Sequence, residues 1–367
     1  MYLVMALITW AVSAVSDISN KKVSHWNSCA DYFHATFGQR RFNSSSSSTV
    51  DLIWLTHSTV ELAEYYLPRL LLKWTGPIQI TIMARSLFEL NRIIAIIWCL
   101  PKQRDNVFVT AVSNSYADIS AAVLFSSVAG SVCTTPSNRV SSYYVKSKLE
   151  YPANTLRNVG LSFAKNNHFD YVLSIDIDIL PPANMNKLLV DFVNKSEEAL
   201  ASKVALILPI LELDTEIIDP LSFPNSKSEL LLWLRRGSAR PFYSEICYGC
   251  HSGGMDFKTW YRASAKCDSL NALYSVDWVD PFEPYFVANS SLIPLFNEQF
   301  TGYGKNRLSQ IMEMHMLGWK WLVLDGAFLM HDGYKNNNHI PLRKIQLERN
   351  RKLYENLKLE IANTNVY

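Results

Sequence analysis

Two acidic side chains, Asp176 and Asp178, stand at the end of the apolar stretch YVLSIDIDILPP (171–182), which stops at two prolines. In a β-strand, residues i and i+2 point to the same side, so both carboxylates are predicted to share one face. Neighbouring carboxylates repel each other unless a cation lies between them. Oxygen ligands at this spacing suit Mn²⁺ or Mg²⁺, which can bridge to phosphate oxygens. The tripeptide alone also allows a pair of solvated acids at the end of an edge strand.

A histidine could complete such a site. His331, in the stretch AFLMHDG, follows another predicted strand. A neutral imidazole is a suitable third ligand for Mn²⁺, and open α/β sheets bind ligands at the carboxyl ends of their strands. His315 and His339 compete for this role, and a structural histidine held by hydrogen bonds is the simpler alternative.

Two polar residues, Asn154 and Arg157, lie on the amphipathic helix predicted just before the acidic strand. A guanidinium matches the geometry of phosphate oxygens, so Arg157 could contact a diphosphate. A surface arginine is the alternative.

The stretch FTGYGKN (300–306) has two glycines around a tyrosine before a predicted helix, which would allow close approach of the backbone to a ligand. It is not the phosphate loop G-x-x-x-x-G-K-[ST], and no full G-x-G-x-x-G follows a predicted strand. The pattern therefore disfavours P-loop NTPases and dinucleotide-binding enzymes.

Two further stretches contain groups that bind ligands. VDWVDPFEPYF (276–286) mixes acids with aromatic rings, which suits a carbohydrate because sugars stack on rings and their hydroxyls bond to carboxylates. An aromatic core loop is the alternative. CYGCH (247–251) formally matches a haem-attachment or redox motif, and a single match is weak evidence for either.

Composition indicates the class of protein. The chain has 367 residues, of which 49% are hydrophobic, so it can bury a large core. Its 35 Lys and Arg residues nearly balance 33 Asp and Glu residues, and only the C-terminal RKIQLERNRK is a basic stripe. We therefore expect no nucleic-acid partner.

The order of predicted elements defines the fold class. Strands are predicted at 51–56, 77–83, 106–112, 170–176, 204–211 and 321–328. Helices are predicted up to 72 and over 86–99, 151–167, 185–194 and 305–317, with a basic C-terminal helix. This alternation predicts an α/β domain with a mainly parallel sheet flanked by helices. The segment 113–149 has no clear pattern.

The N-terminal segment differs from the rest of the chain. Its first 16 residues are almost all apolar, too few for the roughly 20 that span a bilayer and typical of a signal peptide or short signal anchor. A buried first helix is the alternative. A serine-rich stretch follows, so we predict an anchor-like segment and stem over 1–49 and one catalytic domain over 50–367. Three Asn-x-Ser sequons, at Asn43, Asn194 and Asn289, and six cysteines are compatible with the secretory pathway.

Nine pieces of the sequence stand in the order in which a known family carries them. They are LTH (55–57), KWTGPI (73–78), YPANTLRNV (151–159), SIDIDILP (174–181), ALILPILE (205–212), FPNSKSELL (223–231), DFKTWYRA (256–263), FEPYFV (282–287) and the long stretch from FTGYGKN to FLMH (300–331). On these pieces the chain resembles glycosyltransferase family 49, which includes LARGE-type and β-1,4-glucuronyltransferases, over about residues 52–331.

The resemblance implies a fold, a reaction and a setting. It implies a GT-A fold, a UDP-sugar donor, Mn²⁺ as the metal with Mg²⁺ as the alternative, and inversion at the anomeric carbon. GlcNAc or glucuronic acid would be transferred to a glycan or glycoprotein acceptor. The setting would be the Golgi membrane with a lumenal catalytic domain of type II topology, or secretion if the N-terminal segment is cleaved.

The resemblance also assigns roles to residues. Asp176, Asp178 and His331 would hold the metal. Four residues would lie around the donor nucleotide: Thr56, His57, Asn154 and Arg157. We expect Glu283, in the FEPY piece, to be the catalytic base, with Glu313 and Asp280 as the next candidates.

Departures from related enzymes leave a second hypothesis open. Related β-1,4-galactosyltransferases have an acidic base after a glycine-rich turn, where this chain has Lys305, Asn306 and Arg307. The alternative is therefore a catalytically inactive relative that binds a glycan or nucleotide sugar.

Overall fold

A computed structural model of the chain describes residues 33–37, 50–98, 106–113, 151–196, 203–214, 222–263, 269–335 and 341–364. The predicted signal or anchor segment lies outside these residues, apart from one strand, and so does almost all of the segment 113–149.

The described residues form strands and helices in alternation. The strands are β1 (Phe33–Phe37), β2 (Leu52–Thr59), β3 (Ile78–Met83), β4 (Val107–Ser113), β5 (Tyr171–Ser174), β6 (Ile179–Leu180), β7 (Val204–Leu208), β8 (Ile210–Leu213), β9 (Ala239–Pro241), β10 (Asn271–Val276), β11 (Tyr285–Asn289), β12 (Lys320–Asp325) and β13 (Leu329–Asp332). The helices are α1 (Val60–Lys73), α2 (Leu87–Trp98), α3 (Ala153–Asn166), α4 (Met185–Lys195), α5 (Lys227–Arg235), α6 (Ser244–Ser252), α7 (Phe257–Arg262), α8 (Asn306–Met316) and α9 (Pro341–Thr364).

A nine-stranded sheet forms the centre of the molecule, in the order β1-β4-β3-β2-β5-β11-β7-β12-β10. Strands β4, β3, β2 and β5 run parallel to one another, as predicted, whereas β1 runs antiparallel to β4. On the other side of β5, strand β11 runs antiparallel to both β5 and β7. Strands β7 and β12 pair in parallel. The α/β class with flanking helices is confirmed, and its parallel character is confined largely to one half of the sheet.

Burial explains why the central strands read as continuous apolar runs. Every residue of β2 and β3 is buried, as expected for strands covered on both faces. Helix α3 packs against β2 and β3. Strand β1 forms one edge of the sheet, pairs with β4 and comes from the segment predicted to be stem.

A second sheet has the order β6-β13-β8-β9. Three of its strands, β6, β8 and β13, directly follow strands of the first sheet in the chain. The single strand predicted at 204–211 is wrong, because Pro209 divides it into β7 in the first sheet and β8 in the second. Proline lacks the N–H that a continuous ladder needs. The strand predicted at 321–328 ends instead at Asp325, and β13 begins at Leu329 in the second sheet, so His331 lies within a strand rather than after one.

The strand predicted to carry both acids is also shorter than expected. Strand β5 ends at Ser174, and Asp176 and Asp178 lie in the turn that leads to β6 in the second sheet. The prediction that they share a strand face is therefore wrong. Ile175 and Ile177 remain buried in this turn, so the apolar pattern continues beyond the end of the strand.

Candidate active site

Asp176 is the centre of a charged cluster at the carboxyl end of β5. Its Oδ1 accepts hydrogen bonds from Arg157 Nη2 at 2.8 Å and Arg307 Nη2 at 3.1 Å. Its Oδ2 accepts from the Tyr285 hydroxyl at 3.0 Å. Burial alone would raise the pKa of Asp176, but the two guanidinium charges hold it well below its usual range. Asp176 is therefore ionised, and both oxygens are bound by protein donors.

The two arginines reach Asp176 from different helices. Arg157 lies on α3, where its Nη1 donates to Asn154 Oδ1 at 2.9 Å. The Asn154 amide donates in turn to the carbonyl oxygens of Asn297 and Asn306, which fixes the orientation of its side chain. The structure thus brings Asn154 and Arg157 together with Asp176, although Arg157 is buried against this carboxylate rather than on the surface.

Strand β2 contributes the other two residues predicted around the nucleotide, Thr56 and His57. Leu55 pairs with Ser174, so these two residues lie beside the turn that carries Asp176. His57 Nε2 is 3.4 Å from Asp176 Oδ1, and His57 Nδ1 contacts the Tyr151 hydroxyl at 2.7 Å. Burial lowers the pKa of His57, and the Arg157 charge lowers it further. Within the described part of the chain, Thr56 Oγ1 is buried without a hydrogen-bond partner.

Asp178 and His331 meet across the second sheet, where Ile179 pairs with His331. His331 Nδ1 is 2.6 Å from the carbonyl oxygen of Gly333, which can only accept, so Nδ1 carries a proton. His331 Nε2 faces Asp178 Oδ2 at 3.1 Å. In a neutral ring, the Nε2 lone pair then points at the Asp178 carboxylate. Two ligands of one cation face each other in this way, and the backbone acceptor at Nδ1 sets the tautomer of the histidine.

A lysine competes for the same carboxylate. Lys335 Nζ lies 3.0 Å from Asp178 Oδ2. Burial would raise the pKa of Asp178, but the charge of Lys335 lowers it below its usual range. Asp178 is thus an ionised carboxylate that already has a cationic partner.

The chemistry of the donors fits a divalent metal at Asp178 and His331 better than at Asp176. Carboxylate oxygen and imidazole nitrogen are suitable ligands for Mn²⁺. Among the described residues, no group of three or more His, Cys, Asp or Glu side chains is arranged to hold a metal ion. Asp176 contacts arginines and Tyr285 instead. The three-ligand metal site remains a prediction, with Asp178 and His331 as the pair that supports it.

Glu283, the predicted base, lies next to the charged cluster. Burial raises the pKa of Glu283 to about 7, although the nearby Arg307, Lys305 and Arg157 charges oppose this rise. Such a carboxylate can accept a proton near neutral pH. Of the other two candidates, Asp280 forms an ion pair with Lys358 Nζ at 2.6 Å on α9, and Glu313 lies on α8 without a described hydrogen bond from its side chain to a site residue.

The CYGCH stretch lies beside Glu283. Cys247 and Cys250 form a disulfide, which leaves neither thiol for haem attachment. The Glu283 N–H donates to the Cys250 carbonyl oxygen at 2.6 Å, and His251 Nδ1 donates to the Glu283 carbonyl oxygen at 2.9 Å. The CYGCH stretch therefore contacts the backbone of the predicted base, Glu283.

The glycine loop FTGYGKN contacts helix α9. A Cβ at Gly302 would lie 2.5 Å from the Gln346 side chain, and one at Gly304 would lie 2.6 Å from Leu347. Asn350 donates to the carbonyl oxygens of Thr301, Tyr303 and Gly304. The close approach predicted for a ligand is therefore made by α9.

The other candidate histidines are not in the cluster. His315 is exposed and its ring packs on Trp278 at 4.9 Å. His339 lies outside the described residues.

Four residues that contact the predicted site residues were not predicted: Arg307, Tyr285, His251 and Lys335. Arg307 is buried in the first turn of α8, and its guanidinium lies 4.4 Å from the centre of the Tyr285 ring. The position of Arg307 directly after the glycine loop FTGYGKN was the available sequence signal. His251 and Lys335 come close to the acids only through tertiary packing.

The described chain contains no helix of the length and apolar character that crossing a membrane requires.

Fold and site together define an α/β protein with acids, histidine and arginines clustered at the carboxyl edge of a sheet, where such folds bind their ligands. The profile of the family described as "Glycosyl-transferase for dystroglycan" matches residues 51–364. The chain belongs to this glycosyltransferase family, which confirms the resemblance inferred from the sequence pieces.

Individual relatives are similar over different shares of the chain. Beta-1,4-glucuronyltransferase 1 of Danio rerio is 36% identical over 223 residues, which cover 60% of this chain and 49% of that protein. The Homo sapiens protein of the same name is 29% identical over 85% of this chain and 75% of its own length. Xylosyl- and glucuronyltransferase LARGE2 of Mus musculus is 36% identical over 49% of this chain and 24% of its own length. The chain thus spans about half of the Danio rerio relative.

One solved structure has a weak similarity. A crystal structure of GalNAc-T7 with UDP, GalNAc and Mn²⁺ matches 82% of this chain and 48% of its own, with 10% sequence identity and a TM-score of 0.39. This likeness is too low to support an argument.

Proposed function

We propose that this protein is a metal-dependent, inverting glycosyltransferase of GT-A type that transfers a sugar from a UDP-sugar to a glycan acceptor. The observation that carries the proposal is that two groups of charged residues lie at one edge of the sheet: Asp176 with Arg307 and Glu283, and next to them Asp178 with His331. The names of the relatives make glucuronic acid the first donor sugar to test, before GlcNAc.

The donor nucleotide would bind between β2 and the Asp-x-Asp turn. The buried and unpartnered Thr56 Oγ1 supports a polar ligand there, since a buried hydroxyl without a partner is costly. Arg157 and Arg307 bring positive charge to the same place, which favours a diphosphate.

Asp178 and His331 would hold Mn²⁺, with Asp176 as the third predicted ligand. The metal would act as a Lewis acid that neutralises charge on the departing UDP. Glu283 would accept the proton of the acceptor hydroxyl as its oxygen attacks the anomeric carbon from the face opposite UDP. The bond from the anomeric carbon to the diphosphate oxygen breaks, and its electron pair leaves with UDP. The pKa of Glu283, about 7, suits this role because the ionised form is available at neutral pH.

We also propose the Golgi lumen as the setting, with the N-terminal segment as membrane anchor or as a signal that is cleaved. The Cys247–Cys250 disulfide supports an oxidising compartment.

A donor screen tests the proposed function. Purified protein is incubated with UDP-GlcA or UDP-GlcNAc, a panel of glycan acceptors and Mn²⁺, and UDP release and product are measured beside samples with EDTA. We expect glycosylated product that requires metal and is lost in Asp178→Asn. Product formed equally well by Asp178→Asn or in EDTA would contradict the metal-dependent mechanism.

A second candidate function has one specific observation in its favour. Lys335 Nζ occupies the side of Asp178 that faces His331, where a divalent cation would bind. This favours a non-catalytic relative that binds a nucleotide sugar or glycan. Calorimetric binding of UDP-sugars without product over the whole acceptor panel would support it.

A further inference from the structure

We propose that His251 and the Cys247–Cys250 disulfide are positioning elements that hold the backbone of Glu283 in the orientation needed for proton transfer. The inference rests on the proposed function, in which Glu283 is the base. It gives a role to the CYGCH stretch, whose disulfide leaves no thiol for haem attachment.

The backbone around Glu283 is held by hydrogen bonds at each of four polar groups. The N–H of Phe282 donates to Val279 O at 2.8 Å, and Trp278 Nε1 donates to Phe282 O at 2.6 Å. The N–H and carbonyl of Glu283 are bonded to Cys250 O and His251 Nδ1. Two of the four partners thus come from the CYGCH stretch.

Helix α6, which carries those two partners, is kinked and crosslinked. Its backbone departs from helical geometry at Cys247, where φ is −150° and ψ is 83°, so the helix is kinked there. The disulfide joins Cys247 to Cys250 across this break. The crosslink therefore limits how far Cys250 and the adjacent His251 can move relative to the kink at Cys247.

Close packing couples the two segments along their length. A Cβ at Gly249 would lie 3.6 Å from Pro281, which is ordinary contact, and one at Gly254 would lie 2.7 Å from the Phe282 ring. Only glycine allows the approach seen at Gly254. The chain on both sides of His251 is thus packed against the residues before Glu283.

The His251 ring also links Glu283 to the Asp-x-Asp turn. It stacks on Tyr285 with ring centres 5.8 Å apart and planes within 4° of parallel. The Tyr285 hydroxyl donates to Asp176. Burial lowers the pKa of His251 to about 3, so the ring is neutral and donates from Nδ1 to Glu283. Movement of His251 would therefore disturb the base and the donor site together.

The test compares four variants of the full-length protein. His251→Leu removes the donor to Glu283, His251→Asn keeps an N–H donor, and Cys247→Ser/Cys250→Ser removes the crosslink. Tyr248→Ser is the matched control, since Tyr248 lies between the cysteines and is 55% exposed. The readouts are kcat, KM for the UDP-sugar, the pH profile, and hydrogen exchange of the Glu283 amide measured by mass spectrometry.

We expect His251→Leu and the double serine variant to lower kcat about 10-fold with little change in KM, because a misplaced base slows the reaction without weakening donor binding. The acid limb of their pH profile should shift, and the Glu283 amide should exchange faster. His251→Asn should stay within about 3-fold of wild type, since a single neutral hydrogen bond is retained. Tyr248→Ser should match wild type.

Reduction provides a second measurement that needs no substitution. Dithiothreitol supplies two electrons and two protons to the disulfide, which becomes two thiols while the reagent closes to its cyclic disulfide. Reduction should lower kcat of wild type and leave the double serine variant unchanged.

The results separate this inference from the proposed function. Unchanged kcat in both His251→Leu and the double serine variant, or unchanged exchange of the Glu283 amide in both, would overturn the positioning role. If wild type transferred no sugar from any donor, the proposed function would fail, and the exchange of the Glu283 amide alone would decide whether the CYGCH stretch holds this backbone.

Discussion

Arg307 binds Asp176 from a position 131 residues later in the chain, with Nη2 3.1 Å from Oδ1. Its Nη1 donates to the carbonyl oxygen of Ser174 at 2.8 Å. The first turn of α8 is therefore fastened to the last residue of β5 and to the first acid of the Asp-x-Asp turn. Arg307 thus connects the Asp-x-Asp turn with Glu283, since its charge opposes the rise in the pKa of Glu283 that burial causes.

Replacing Arg307 should affect both donor binding and the ionisation of Glu283. Arg307→Gln removes the positive charge near the diphosphate, so KM for the UDP-sugar should rise at least about 10-fold, the scale of one charged hydrogen bond. The apparent pKa of the acid limb should also rise, because Arg307 lowers the pKa of Glu283. Steady-state kinetics over a pH range measure both effects. Arg262→Gln, an exposed arginine on α7, is the control, and an unchanged KM in Arg307→Gln would contradict the donor assignment.

The ionisation of Glu283 predicts the pH dependence of the reaction. A general base is active when ionised, so kcat/KM should rise with pH through a midpoint near the pKa of Glu283, about 7. Glu283→Gln should lower kcat at least about 100-fold, as expected when a general base is lost. Glu313→Gln, at a carboxyl whose pKa burial also raises, should have little effect. If Glu313→Gln lost activity and Glu283→Gln retained it, the base would be wrongly assigned.

Loss of either member of the Asp178 and His331 pair should weaken metal binding. Asp178→Asn and His331→Ala each remove a proposed ligand, so the Mn²⁺ concentration for half-maximal activity should rise at least about 10-fold. Titration of Mn²⁺ followed by electron paramagnetic resonance measures the affinity without relying on turnover. Asp191→Asn on α4 is the control, and equal affinities in all of these proteins would remove the metal assignment.

Replacing Lys335 should strengthen Mn²⁺ binding, whereas loss of Asp178 or His331 should weaken it. Its ammonium lies 3.0 Å from Asp178 Oδ2 and repels a cation bound there. Lys335→Met should therefore tighten Mn²⁺ binding, by a few-fold rather than by orders of magnitude because the side chain is 35% exposed. The same titration detects this. A weaker affinity in Lys335→Met would show that the lysine supports the site instead of competing with the metal.

A buried ion pair outside the proposed active site should contribute to the free energy of unfolding. Lys227 and Asp325, at 6% and 5% side-chain exposure, are bonded to each other, and Lys227 also donates to the carbonyl oxygens of Trp260 and Ala263. Lys227→Met leaves the Asp325 charge buried alone, so the free energy of unfolding should fall by about 3–5 kcal/mol. Urea unfolding measures this loss.

A double variant is the control for that prediction. Lys227→Met/Asp325→Leu removes both charges and should recover part of the lost stability, because no unpaired charge remains. A single variant as stable as wild type would mean that the pair contributes little.

The sequence by itself determined the order and type of most elements. Helices predicted at 185–194 and 305–317 are α4 and α8 to within a residue at each end, because periodic apolar positions and local start signals specify them. It also indicated the family, since nine short pieces in order are specific even where each is weak. The sequence also pointed to Asp176 by the strand-end rule and to Asn154 and Arg157 by the family resemblance, and these three residues are in contact in the structure.

Only the tertiary structure decided which partners Asp176 and Asp178 each have. Asp176 lies with two arginines, and Asp178 lies with His331 and Lys335, because the chain turns from one sheet into the other between Ser174 and Ile179. An alternating apolar pattern continues through that turn, so no local signal marks it. The partners of Glu283, His251 and Arg307, are far from one another in sequence and meet through packing of α6 and α8 against the FEPY segment. Long-range contacts of this kind depend on how surfaces fit together, and residue spacing does not encode them.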